Sequence, residues 1–250
     1  AIDYNLSGGR NSNLNPLRFT VQTKEADLRL YNATKTNYVF KGWSLKNPTD
    51  ATYTDADLIQ VGEKDTLGYV RLDPMKISAY YGGLAYIPRE RLIVYAVFEP
   101  YTYTIRYHSE SAEAKFVNPD RDDASVCTVR GYEVDQNYQY LKDIYRPGYF
   151  IANWNTRPDG NGSRYTAGAN FRNLTTTADD VIDLYAQWTQ ATYRITYDLQ
   201  GGNNNGGNIS SFNINSAESL LKNARLNGND KLFDHWEYVD KGGKTQTITS

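Results

Sequence analysis

The stretch "YVFKGW", residues 38 to 43, has two looser copies farther along the chain: "YFIANW" at 149 to 154 and "LFDHWEYV" at 232 to 239. The 250 residues contain only four tryptophans, and three of them, Trp43, Trp154 and Trp236, belong to this element. In an extended chain successive side chains point to opposite faces. Tyr38, Phe40 and Gly42 therefore share one face. Trp43 falls on the other face unless Gly42 marks a bulge that turns the indole back toward a core. In the second copy Tyr149 and Ile151 share a parity, Trp154 takes the other, and Asn153 stands at the glycine position. A recognition surface needs these aromatics exposed and a small core needs them buried.

The surrounding sequence repeats with them. "AIDYNLSGGRNSN" at 1 to 13 returns as "RITYDLQGGNNNG" at 194 to 206, and "YTIRYHSES" at 103 to 111 is a weaker middle copy that has lost the glycines. "LIVYAVFEP" at 92 to 100 is matched by "VIDLYAQWTQ" at 181 to 190. The order is constant: an opening strand, the Trp segment, then a Tyr-Ala strand. Trp43 follows Tyr4 by 39 positions and Trp236 follows Tyr197 by the same 39. From Trp to the closing Tyr takes 52 positions in the first copy and 31 in the second, which puts an insertion at about 55–91. The chain thus reads as three units, 1–100, 101–190 and 191–250; the last stops without a Tyr-Ala strand and is expected to be incomplete at its C-terminus, the alternative being a unit that closes differently. Fixed positions of this kind in every unit are what a shared core produces, because unit-specific binding belongs in variable loops.

Composition agrees with a strand-rich, turn-rich protein. Tyrosine occurs 22 times against one methionine and one cysteine. Tyrosine and threonine suit pleated, half-buried surfaces, while Asn and Gly suit the turns between them. A net charge of −2 carries no nucleic-acid footprint. Mean hydropathy is −0.67, and no apolar run approaches the ~18 residues of a spanning helix. One cysteine forms no internal disulfide, so Cys127 reads as a buried small hydrophobe. Burying one aromatic side chain removes roughly 150–250 Å² from water. At ~25 cal/mol/Å² that is about 4–6 kcal/mol before entropy, a large share of the stability of a small unit.

Catalytic and metal chemistry find little support. His108 and His235 have no second ligand at metal spacing, and no nucleophile elbow or HExxH is present. The acidic clusters "TDADL" (54–58) and "NPDRDDAS" (118–125) lack calcium-loop spacing. Gly8-Gly9 and Gly201-Gly202 read as turns out of the opening strand, since no phosphate-loop pattern follows. The sequence therefore predicts no enzyme and no cofactor or metal. Sugar binding is the serious competitor, through Trp43, Trp154 and Trp188 or, better, through the insertion's Tyr80, Tyr81 and Tyr86.

"NATKTNYVFKGWS" (32–44), "YRPGYFIANWNTRPDGNGSRYTAGANF" (145–171), "DLYAQWT" (183–189) and "RITYDLQGGNNNGG" (194–207) together resemble the Listeria–Bacteroides repeat, the internalin B-repeat. The chain departs from that pattern at Asn37, where a glycine is usual, in the missing Gly-Gly of the second copy, and in the insertion. The resemblance implies an α+β fold of tandem, small β-grasp (ubiquitin-like) units forming a strand-rich, elongated array. Short helices are accordingly expected in "TKEADLRLY" (23–31) and "SAESLLKNARL" (216–226), the latter capped by Ser216. It further implies a monomeric spacer or adhesion segment of a bacterial surface protein, extracellular or wall-attached. Neighbouring domains of a longer protein and a host-surface protein or glycan are the implied partners.

Overall fold

The computed structural model describes residues 1–20, 23, 28–59, 69–71, 91–117, 125–225 and 232–248. In the first copy the closing strand Leu92–Pro100 lies between the opening strand Ile2–Asn5 and the Trp strand Tyr38–Ser44. It runs parallel to the first, with Ile2 beside Leu92 and Tyr4 beside Val94, and antiparallel to the second, with Trp43 opposite Ala96. The alternation of Leu92, Val94 and Ala96 turns these three into the core, where each is at most 2% exposed. They pack with Ile2, Leu28, Leu30, Ala33 and Trp43.

The second copy repeats this frame within a five-stranded sheet. Its order is Arg164–Tyr165, Tyr149–Asn155, Val181–Gln190, Thr102–His108, Val126–Glu133. Trp154 stands opposite Ala186, as Trp43 stands opposite Ala96. In both Trp strands the register slips just before the tryptophan, between Phe40 and Gly42 and between Ile151 and Asn153. The extra residue returns the indole to the core side, and Trp43 and Trp154 are both 0% exposed. The bulge foreseen at Gly42, where φ is +151°, is therefore present, and Asn153 supports the same slip without a positive φ.

The turns carry the same signature in the first and third copies. Ser7 and Gly8, like Gln200 and Gly201, hold positive φ in a two-residue turn, closed by Gly9 N–H to Leu6 O (2.7 Å) and Gly202 N–H to Leu199 O (2.8 Å). Asn37, standing where a glycine is usual, adopts φ +66°, close to the +73° of Gly148 in the second copy. Asparagine is one of the few side chains that tolerate this region. At Gly9 a Cβ would sit 2.7 Å from the Thr34 carbonyl and 2.8 Å from the Phe98 ring. The paired Arg10–Thr34 backbone bonds hold that carbonyl in place. Gly9→Ala is expected to cost about 1–3 kcal/mol, read as a lowered denaturant midpoint.

The α+β, β-grasp expectation is corrected. Among the described residues there is no α-helix, only a 3₁₀ turn at Asp55–Asp57. Arg29–Tyr31, inside the first expected helix, is a strand paired antiparallel with Tyr69–Arg71, and the flanking alternation buries Leu28 and Leu30. In the second expected helix Ser216 closes a turn: its N–H donates to Asn213 O, and its Oγ accepts from the Asn213 N–H. Residues 217–224 then carry neither helix nor strand, and Leu220 is 81% exposed. With no apolar face to pack, an isolated helix of this length is marginal, and asparagine side chains take its backbone bonds instead.

Backbone contacts group the chain into two compact units. One comprises Ala1–Ile105, Val129–Tyr138 and Asn170–Ile182, and the other Arg106–Thr128, Gln139–Ala169 and Asp183–Ser250. The first holds the complete first copy. The second holds Trp154, its closing partner Ala186, and the third copy, in which Trp236–Val239 pairs with Thr245–Ile248 and Tyr193–Arg194 with Ser211–Phe212.

Candidate functional site

Trp43, Trp154 and Trp236 each sit in a recurring cluster. In the first copy Trp43 meets the rings of Tyr4 at 5.4 Å and Phe40 at 5.4 Å, both edge-on. Its indole N–H donates to the Tyr31 carbonyl at 3.2 Å. Asn15 clamps the same residue: Tyr31 N–H donates to Asn15 Oδ1 at 2.5 Å, and Asn15 Nδ2 donates to Tyr31 O at 3.1 Å. The clamp is steadied by Asn11 Oδ1, which accepts from Asn15 Nδ2. Tyr4 donates its hydroxyl to Pro16 O at 2.7 Å, and burial pushes its phenol well above the ordinary value.

The third copy reproduces this cluster. Trp236 donates to Lys222 O at 3.2 Å, and Lys222 N–H donates to Asn208 Oδ1 at 2.6 Å. Asn208 Nδ2 donates to Lys222 O at 2.9 Å and to Asn204 Oδ1 at 2.7 Å. Tyr197 donates to Ile209 O at 2.7 Å and lies 5.2 Å from Trp236. In the second copy Trp154 donates to Leu141 O, and the Tyr107 hydroxyl, 3.5 Å from Leu141 N, stands where the asparagine clamp would be. The clamp escaped the sequence reading. Its trace is a shared spacing, since Asn15 and Asn208 both precede their tryptophan by 28 positions.

These tryptophans are architecture, and the structure removes Trp43 and Trp154 from any sugar-stacking surface. Trp188 is half-buried and donates its indole N–H to Ser109 O at 2.7 Å. Tyr80, Tyr81 and Tyr86 lie outside the described residues, as does most of "NPDRDDAS". The "TDADL" segment folds on itself: Asp57 accepts from Thr54 N–H at 2.8 Å and pairs with Lys46 at 3.2 Å. Cys127 is buried. His108 Nε2 lies 2.7 Å from Asp183, whose carboxylate also receives two bonds from Arg106 at 2.8 and 2.6 Å. Burial pushes the Asp183 carboxyl up, but the Arg106 and His108 bonds outweigh it and hold the group below its usual range. Among the described residues no cluster of three or more His, Cys, Asp or Glu suits a metal ion.

A groove opens instead in the third copy. A space of about 540 Å³ runs between Asp198–Gln200 on one side and Phe233–Val239 on the other, and a second of about 300 Å³ adjoins it at Leu220, Phe233 and Ile248. Half of the sixteen exposed large apolar side chains among the described residues lie between Tyr193 and Ile248. At the groove wall His235 lies 2.9 Å from both Asp234 and Glu237. The Glu237 hydrogen bond foremost, with Asp234, holds the imidazole above its ordinary value of 6.5. A raised folded value means that this contribution is fully present below pH 6.5 and fades as pH rises through the folded value. NMR titration is expected to show a His235 midpoint above 6.5 that falls in Glu237→Gln.

The family profile of the Listeria-Bacteroides repeat domain matches residues 1–67 and 103–187, more than half of the chain. A protein of Evansella cellulosilytica provisionally named a Gly-rich membrane protein is 27% identical over 176 residues, covering 68% of this chain and 16% of that protein. The chain thus spans about a sixth of the length of that relative. No solved structure matches it. Among the described residues no helix is long and apolar enough to cross a membrane.

Proposed function

Because the chain belongs to the Listeria–Bacteroides repeat family, we propose that it is a non-catalytic repeat segment of a longer bacterial surface protein. Its task is to carry neighbouring domains away from the cell, outside the membrane or attached to the wall. The observation that carries this reading is where the large side chains go. Trp43 and Trp154 are fully buried in recurring clusters that link strand to strand, and their polar atoms are spent on backbone partners. A spacer needs folded units and little else. The relative's name, a Gly-rich membrane protein, supports association with the cell envelope.

Adhesion to a host protein or glycan is the finer possibility within this reading, and it would fall to Tyr80, Tyr81 and Tyr86. The test is replacement: residues 1–250 are exchanged, in the full-length protein, for unrelated folded repeats of equal reach. A spacer role predicts that the functions of the neighbouring domains survive the exchange. Their loss, together with saturable binding of the isolated segment to a glycan or host surface, would overturn the spacer reading in favour of adhesion.

A further inference from the structure

The compact units do not follow the copies. The first unit takes in the whole first copy, runs on to Ile105, and also includes Val129–Tyr138 and Asn170–Ile182 of the second copy. Domains strung on a linker would divide where the copies meet. The contacts that tie the near end of the second copy to the first all lie within this one unit.

The turn before the Trp strand is the receiving surface. Asn37 O accepts from Tyr101 N–H at 2.9 Å, and Tyr101 O in turn accepts from Val134 N–H at 2.9 Å. Val134 is fully buried. Beside it Asp135 holds φ +67°, and its carboxylate gathers groups from both copies. It accepts from the Tyr38 hydroxyl at 3.4 Å, from Arg172 at 3.2 Å and from Asn173 Nδ2 at 2.9 Å. Asn173 Oδ1 accepts the Asp135 N–H at 2.6 Å, so backbone and side chain of Asp135 are both fixed.

The second copy offers the same surface to the third, within the other unit. Gly148, which matches Asn37, accepts from Ala191 N–H at 2.8 Å. A cation lies over the tyrosine that follows each: Lys35 is 3.7 Å from the Tyr38 ring and Arg146 is 3.8 Å from the Tyr149 ring. Tyr193 stacks on Phe212 at 5.2 Å as its counterpart Tyr103 stacks on Tyr132 at 5.6 Å. Two residues beyond Tyr132 and Phe212 stand Val134 and Ile214. A Cβ at Gly148 would sit 2.5 Å from the Ile214 Cβ, so the third copy rests directly on this turn. Ile214 is 54% exposed where Val134 is buried, which makes the second joint the looser of the two.

We propose that the turn before each Trp strand is a docking surface whose occupant is the copy that follows, seated through Val134 and Asp135 at the first joint and through Ile214 at the second. The first copy and the near end of the second then open as one body, and the repeat is not the unit of cooperativity. Nearest-neighbour interfaces of this kind add to the intrinsic stability of each repeat.

The test follows hydrogen exchange in the whole chain, residues 1–250. Asp135→Ala removes no atom of the first copy, yet the Val94 and Ala96 amides in the first copy's core are expected to exchange about tenfold faster. Asn155→Ala lies in the far part of the second copy and removes an amide that donates to Gly160 O at 3.0 Å and accepts from Gly162 N–H at 2.9 Å. It is expected to speed exchange at Trp154 and Tyr165 and to leave Val94 and Ala96 unchanged. Asp135→Asn keeps a side chain that tolerates left-handed backbone, and is expected to give the Asp135→Ala result in smaller measure should the alanine variant not fold. Val94 and Ala96 exchange that neither Asp135 variant alters would mean that the copies open independently, and overturns the proposal. So does an equal acceleration of those amides by Asn155→Ala, because the whole chain would then open as one. Independently opening copies could still carry neighbouring domains, so failure here leaves the spacer reading intact.

Discussion

Trp43→Ala is expected to cost the first copy about 3–5 kcal/mol, the range for truncating a buried aromatic. The indole is fully buried, meets Tyr4 and Phe40 edge-on, and is anchored to the Tyr31 carbonyl. Its loss leaves a cavity between two strands and removes one of the two side-chain bonds to the Tyr31 carbonyl, which keeps its bond from Asn15. Since small domains are stable by only about 5–15 kcal/mol, much of the first copy's margin would go. Trp236→Ala removes the same side chain from the same geometry, but in a copy whose groove is open. Its expected cost is about 1 kcal/mol, because half-exposed surface returns less to water. The contrast is measured as hydrogen exchange of the Val94 and Ala96 amides in one variant, and of Glu237–Val239 in the other.

Asn15→Ala is expected to be the second largest loss, about 2–3 kcal/mol. Asn15 is 6% exposed, and its amide satisfies both the N–H and the C=O of Tyr31 while leaning on Asn11. Alanine fills less space and leaves the Tyr31 N–H without its acceptor, and an unpaired buried donor costs more than a typical bond contributes. Asn208→Ala deletes the matching bonds in the exposed third copy, where water can replace them, and is expected to cost under about 1 kcal/mol. Equal losses at the two sites, read from denaturant midpoints, would mean that burial does not set the strength of the clamp.

What the sequence made legible was whatever recurred with a stereochemical reason. The bulge before Trp43 could be read because Gly42 and parity conflict, and because the conflict returns at Asn153. The Gly8-Gly9 turn could be read because two successive positive φ values need a glycine. Asn37, an apparent departure from the family pattern, keeps the backbone conformation of Gly148. The helices failed for the opposite reason. Leu28 and Leu30 stand two apart, a strand spacing, and their strand exists because Tyr69–Arg71 pairs with it. That partner lies far away in sequence. In 216–226 the decisive groups were Asn203 and Asn208, which take up backbone bonds from another segment.

The clamp was illegible because Asn15 and Asn208 sit in asparagine-rich loops, where one amide looks like another until a fold brings it to Tyr31 or Lys222. The aromatics singled out for ligand binding, Tyr80, Tyr81 and Tyr86, lie outside the described residues.

The reading we propose makes this chain a surface segment that holds other domains rather than performing chemistry. Its most direct test is antibody labelling of intact cells that make the full-length protein, with an antibody raised against residues 1–250. The account predicts strong labelling of unpermeabilised cells and loss of the signal after brief protease treatment of those cells. Labelling that appears only after the envelope is breached would contradict it.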